Sequence, residues 1–425
     1  MTVLSPRIEY LEETLDNGLR VILNPDQTQS IVAVSFRYAV GSHCEEPGLT
    51  GLAHLFEHLM FSGSPGVAAG EHLRLVQGLG GSANATTSMD WTAYYQVVPA
   101  EALELVLWLE ADRLSGLSHT LTQESLDIQR DVVRNERRES IDNAPYGSAR
   151  ERVVEALFPI GHPYDHLPIG SMRDLELASL GDARSFFASY YAPDTAVVTV
   201  SGGFDPASAL NWIKQYFSGL RPAQRKPQRR PIAPPLGPLE IRIEERTRLP
   251  ARLFIGCTLP PAGSPAFPAS RLAATIAARG NGSRLATRLI HERELAASVH
   301  LNLLPLAIDA SLGIAQLVPR PGVGLGELEQ AFNEEVAALV EHGPEQHEMD
   351  RALAYLDASW LARTDTADGK ADELSWHAVV RGDAALANTA LTDIHAAGLT
   401  QVRDAMRPWS GSTRHVVLCY SEGTA

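Results

Sequence analysis

A chain of 425 residues exceeds one ordinary hydrophobic core and points to two domains. Hydrophobic residues at 44% with charged residues at 20% exclude the disordered and fibrous classes. The net charge of −15 argues against a nucleic-acid partner and fits solubility, or the attraction of basic peptides. Cys44, Cys257 and Cys419 form no CxxC pair, so neither a disulfide framework nor a thiolate zinc site is expected. The first residues contain no basic segment followed by an apolar one. No apolar run approaches the ~20 residues that cross a bilayer. The expected location is cytoplasmic, away from membranes.

In chain order, β-branched and aromatic residues predict strands over 19–23 and 31–38. A helix is expected over 50–61, capped by Thr50 and closed by Gly63, and another over 71–79. Strands follow over 83–87 and 92–98, then amphipathic helices over 101–114 and 123–141. A helix over 181–190 and a strand over 195–200 end the first half. Strands and helices interleave without the regular alternation of a parallel sheet, so the class is α+β.

Between 221 and 238 the sequence reads RPAQRKPQRRPIAPPLGP. Its prolines block helix and central strand and its basic residues repel one another, which predicts an extended linker. The expected partition is therefore a first domain over 1–220, the linker, and a second domain over 239–425. The second half repeats the first in degenerate form: strands over 239–244 and 253–259, a helix over 269–278 and a closing strand over 415–420. Its first helix contains LAATIAA, with no histidine or carboxylate, so chemistry is expected only in the first half.

That chemistry centres on GLAHLFEHLMFSG, an H-x-x-E-H pattern of His54, Glu57 and His58. Four residues apart on a helix, the two imidazoles project from one face and can grip one ion. Glu57 lies on the same face, placed to take a proton from an activated water and return it to a leaving amine. Zinc needs a third protein ligand. Glu136, in DVVRNERRES on a helix downstream, is the leading candidate, and Glu139 one turn on is an alternative or supporting group. His162 and His166, in GHPYDHLPIG, are also four apart, but the intervening proline precludes a normal helix, so they read as loop or core residues.

These residues resemble the insulinase/pitrilysin family of zinc peptidases, whose motif reverses the commoner H-E-x-x-H order. The likeness extends through GGSANATTSMDWTAYY, QRDVVRNERRESIDNAPYG, HPYDHLPIGSMRDL and YYAPDTAVVTVSGGFD, in the family's order. It implies one zinc per chain held by His54, His58 and Glu136, with Glu57 as general base. It also implies two homologous domains, each a mainly antiparallel sheet packed with helices, that make half of a clam-shell chamber. Ser82, Asn84 and Ala85 fall on the strand that presents backbone to an extended peptide substrate.

Two positions depart from the family pattern. Gln129 stands where an acidic residue often sits seven positions before the third ligand. In the second half, aligned on LIHERELAASV, Ile290 and Ala297 replace an arginine and a tyrosine that contact the substrate carbonyl. Neither can donate a hydrogen bond to a developing oxyanion. The resemblance thus implies a zinc endopeptidase subunit that acts as a hetero-oligomer with a homologous chain supplying Arg and Tyr. A non-catalytic structural or peptide-binding relative is the other reading. Leader removal from one precursor and general peptide clearance would use the same residues.

Overall fold

The structure is a computed structural model that describes residues 7–223 and 239–423. Residues 224–238 of the expected linker lie outside the described residues. The first half opens with strands Leu11–Thr14 (β1), Arg20–Pro25 (β2) and Ile31–Tyr38 (β3). Helices Leu52–Leu59 (α1) and Glu71–Gly78 (α2) lead to strands Ser82–Thr87 (β4) and Thr92–Pro99 (β5). Helices Leu103–Thr120 (α3), Gln123–Arg137 (α4), Ala149–Leu157 (α5), Met172–Leu177 (α6) and Leu180–Tyr190 (α7) follow. Strand Ala196–Gly202 (β6) and helix Pro206–Phe217 (α8) complete this half.

The second half contains strands Glu240–Thr247 (β7) and Arg252–Leu259 (β8), helix Phe267–Ala278 (α9), and strands Ala296–Leu304 (β9) and Ser311–Pro319 (β10). Helices Leu325–His342 (α10), Gln346–Thr364 (α11), Ala367–Val380 (α12), Ala390–His395 (α13) and Leu399–Ala405 (α14) precede the last strand, His415–Glu422 (β11). The sheets run β1-β2-β6-β3-β5-β4 and β7-β11-β8-β10-β9. In each, the closing strand lies parallel to the opening one, β6 on β2 and β11 on β7, and every other pair is antiparallel. Setting β1 aside, the two orders correspond strand for strand. The expected α+β class, with two mainly antiparallel sheets, is what the chain adopts.

Alternation along β3 sends Val32, Val34, Phe36 and Tyr38 into a core with Leu52, Phe56 and Leu59 of α1. The opposite face of β3, Ala33, Ser35 and Arg37, is covered by α12 of the second half. There Arg37 donates to Ser375 Oγ at 3.0 Å and pairs with Asp372. The first half returns the exchange: Val153, Val154 and Leu157 of α5 share a core with Phe254, Val416 and Leu418 of β8 and β11. Gly256 makes room for this helix, since a Cβ there would lie 2.3 Å from Val153 Cγ1. Each sheet is thus roofed on one face by a helix from the other half. Among the described residues, no helix is long and apolar enough to cross a membrane.

Candidate metal centre

Helix α1 is shorter than the 50–61 expected from sequence, and it is held differently. Its first turn begins at Gly51, in the left-handed region at φ 93°, a conformation glycine adopts without strain. Thr50 turns away to donate to Asp174 Oδ2 at 2.6 Å. The helix donors are met by Glu45, which accepts from the Gly51 and Ala53 backbone N–H groups at 2.7 Å each. A carboxylate suits the positive end of a helix. His166 contacts Glu45 Oε2 through Nε2 at 2.7 Å and Asp165 Oδ1 through Nδ1 at 2.5 Å. Burial opposes protonation of His166, but the two carboxylates raise its pKa to about 9. Burial also pushes the Glu45 carboxyl up, against His166 and the two backbone donors. Only the ionised carboxyl accepts from all three, and that is the state the geometry supports. His162 is spent on a different bond, to Asp309 of the second half at 2.9 Å.

With α1 so placed, His54 and His58 face Glu136 near the end of α4. His54 Nε2 is 3.5 Å from Glu136 Oε1, and His58 Nε2 is 3.4 Å from Oε2. Among the described residues, these three form the one group of histidine, cysteine and carboxylate side chains close enough to share a metal. Two observations test whether they fit zinc. Tetrahedral ligands with bonds of ~2.0–2.1 Å lie about 3.3 Å apart, close to the observed separations. His58 Nε2 is buried with no hydrogen-bond partner although a carboxylate faces it, which is how a ligand pair looks with the cation taken out. Protonation favours the same conclusion: burial lowers the His54 pKa against the pull of Glu136 and Glu57. The neighbouring His58 lowers that of Glu136 despite partial burial. A neutral imidazole beside an ionised carboxylate is the form a metal binds. The donor set fits.

Glu57 does not join the triad. Its Oε2 accepts from Thr87 Oγ1 at 2.6 Å, and this bond to the last residue of β4 ties the carboxylate to the sheet. Sequence reasoning passed over Thr87 and Glu45. A threonine closing a strand and a glutamate in a Glu-Glu-Pro-Gly loop have no signature of their own. Glu139 is exposed, in the π-helical turn after α4, and stands apart from the triad. Gln129 lies two turns back along α4, partly exposed.

Ser82, Asn84 and Ala85 lie on β4, an edge strand paired only with β5. Ser82 and Asn84 are exposed and Ala85 is buried. The Asn84 side chain accepts from the Ala85 N–H at 2.9 Å, so that donor is not used in the ladder with β5. Ile290 sits in a π-helical turn and Ala297 on β9. Arg320 donates to the Ile290 carbonyl at 3.0 Å.

The family model described as insulinase (peptidase family M16) matches residues 20–164, and that of the peptidase M16 inactive domain matches 178–356. The chain belongs to the insulinase family of peptidases. Within the family it is 34% identical to the zinc protease PqqE of Helicobacter pylori over 214 residues. That match covers 50% of this chain and 48% of the relative, so the chain spans about half the length of that protein. It is 28% identical over 320 residues to an uncharacterized zinc protease of Mycobacterium tuberculosis, covering 73% of this chain and 70% of the other. A solved protease from Helicobacter pylori superposes with TM-score 0.89 at 25% identity, over 96% of this chain and 99% of that one. The fold is shared with a peptidase M16 inactive domain from Pseudomonas fluorescens, at TM-score 0.85 and 18% identity over 98% of each chain.

Proposed function

We propose that this protein is the zinc-bearing subunit of an endopeptidase. The observation that carries the reading is the convergence of His54, His58 and Glu136 at 3.4–3.5 Å, with the His54 and Glu136 pKa values both lowered. Bound there, zinc would act as a Lewis acid toward the peptide carbonyl and the attacking water. The chain's own residues would do the rest. Thr87 occupies one Glu57 oxygen and leaves the other to take a proton from water and deliver it to the leaving amide nitrogen. The free edge of β4 would hold the substrate backbone extended, through Ser82, Asn84 and Ala85.

In this reading residues 1–220 form the catalytic domain and 239–425 a degenerate domain joined by 221–238, together half of a closed chamber. The absence of donor side chains at Ile290 and Ala297 favours completion by a homologous partner supplying Arg and Tyr. The match of 178–356 to a model described as an inactive domain also supports a role as one part of a pair. Three free thiols accord with a reducing cytoplasm.

Metal analysis with a quenched-fluorescent peptide assay tests the reading. Glu57→Gln should retain one zinc per chain and lose ~10²–10⁴ in turnover, whereas His58→Ala should lose the metal as well. Near-normal cleavage by Glu57→Gln would exclude this mechanism.

A further inference from the structure

A second site lies away from the metal. A cleft of about 540 Å³ opens between α9, α11, α12, the edge strand β9 and Trp91 of the β4–β5 turn. None of His54, Glu57, His58 or Glu136 lines it. Its volume is that of a small-molecule site, and beside its polar and charged residues part of its wall is apolar and aromatic: Phe267, Leu301, Leu303 and Trp376, besides Trp91.

The charges around it do not balance. The two carboxylates at its wall are each engaged: Asp372 pairs with Arg37, and Glu373 contacts Arg363 Nε at 2.6 Å and His377 Nε2 at 3.6 Å. Arg271 has no hydrogen-bond or ion-pair partner among the described residues, and feels Glu373 and Arg363 only through space. Arg279 meets no carboxylate; it lies over the Tyr355 ring and donates to its hydroxyl at 2.6 Å. Arg271, Thr275 and Arg279 are spaced four residues apart and all line the cleft from α9 and its end. In a chain of net charge −15, Arg271, with no paired carboxylate of its own, and Arg279, exposed at the end of α9, offer two guanidiniums to an anionic ligand.

We propose that this cleft binds an organic acid, a carboxylate carried on an aromatic or acyl body. The guanidinium fork matches a carboxylate in two parallel hydrogen bonds, and the apolar walls take the body, which inorganic anions lack. A free small acid and the C-terminal carboxylate of a peptide share this chemistry.

Calorimetry on the full chain separates the possibilities with 3-phenylpropionate, its amide, inorganic phosphate, and a tripeptide ending in free phenylalanine. The acid should bind at least tenfold tighter than the amide, and Arg271→Gln and Arg279→Gln should each weaken it about tenfold. Glu57→Gln should bind it unchanged. A tripeptide preferred more than tenfold over phenylpropionate assigns a peptide terminus as the source; otherwise the source is a free acid. Equal binding of acid and amide, phosphate binding as tight as the acid, or unchanged affinity in both arginine variants would overturn the proposal. Should Arg271→Gln fail to fold, Arg279→Gln, at an exposed position, decides alone.

Discussion

Glu45 and His166 hold the N-terminus of α1, and the histidine makes that hold depend on pH. The His166 pKa in the folded chain is about 9, against an ordinary value near 6.5. A raised value means that its stabilisation is complete below about pH 6.5 and is lost as pH rises toward 9. Thermal or denaturant unfolding across that window should show a loss of about 2–3 kcal/mol from this group. His43, raised to about 9 beside Cys44, contributes a slope of the same sign. Comparison with His166→Asn therefore isolates the clamp: the variant should be less stable at pH 6 and should lose less between pH 6.5 and 9. Equal slopes in the two proteins would mean that His166 does not exchange its proton on unfolding.

At the scale of elements, β4 carries two jobs on two sides. Its Thr87 side chain orients Glu57, and among the described residues its outer edge has no neighbouring strand. Because Asn84 accepts from the Ala85 N–H, proline at position 85 removes a donor the β4–β5 ladder does not use. Ala85→Pro should therefore weaken peptide binding several-fold while zinc content stays at that of the parent. Fluorescence anisotropy with a labelled peptide, beside metal analysis, reads both quantities. Unchanged peptide affinity would place the substrate elsewhere.

Across the whole molecule, the exchanged helices make the halves interdependent. Replacing Gly256 by valine drives side-chain atoms into the space of Val153, which should cost about 1–3 kcal/mol. Since α5 and α12 roof each other's sheets, calorimetry should show that loss in one joint transition, and two separate melts would refute the coupling. The proposed partner belongs to this scale too. Losing one oxyanion donor costs ~10²–10³ in rate, so the isolated chain should cleave peptides weakly. Mixing with a homologous subunit that retains Arg and Tyr should restore turnover. Robust cleavage by the chain alone, not raised by the partner, would show that other donors, Arg320 among them, serve the site.

Much of this was legible in the sequence because it is local. His54 and His58 announce themselves through the pitch of one helix, and β3 and β6 through runs of β-branched residues. Boundaries were less secure: the reading over 50–61 ran past the real ends of α1, because its donors are met by Glu45 from outside the helix and not by Thr50. The helices α10, α11 and α12 carried no assignment. In α11 apolar residues such as Ala354 and Leu361 stand on the exposed side as well as the buried one, so the one-faced pattern that marks a surface helix is lost. What only the tertiary structure decided are the contacts between distant residues: Glu136 against the two histidines, His166 behind Glu45, α12 on β3, and Arg279 on Tyr355 at the cleft. The sequence by itself determined which residues could carry chemistry, since spacing along one helix sets their direction. Which of them meet was left to packing, because a contact across a hundred residues leaves no period in the chain.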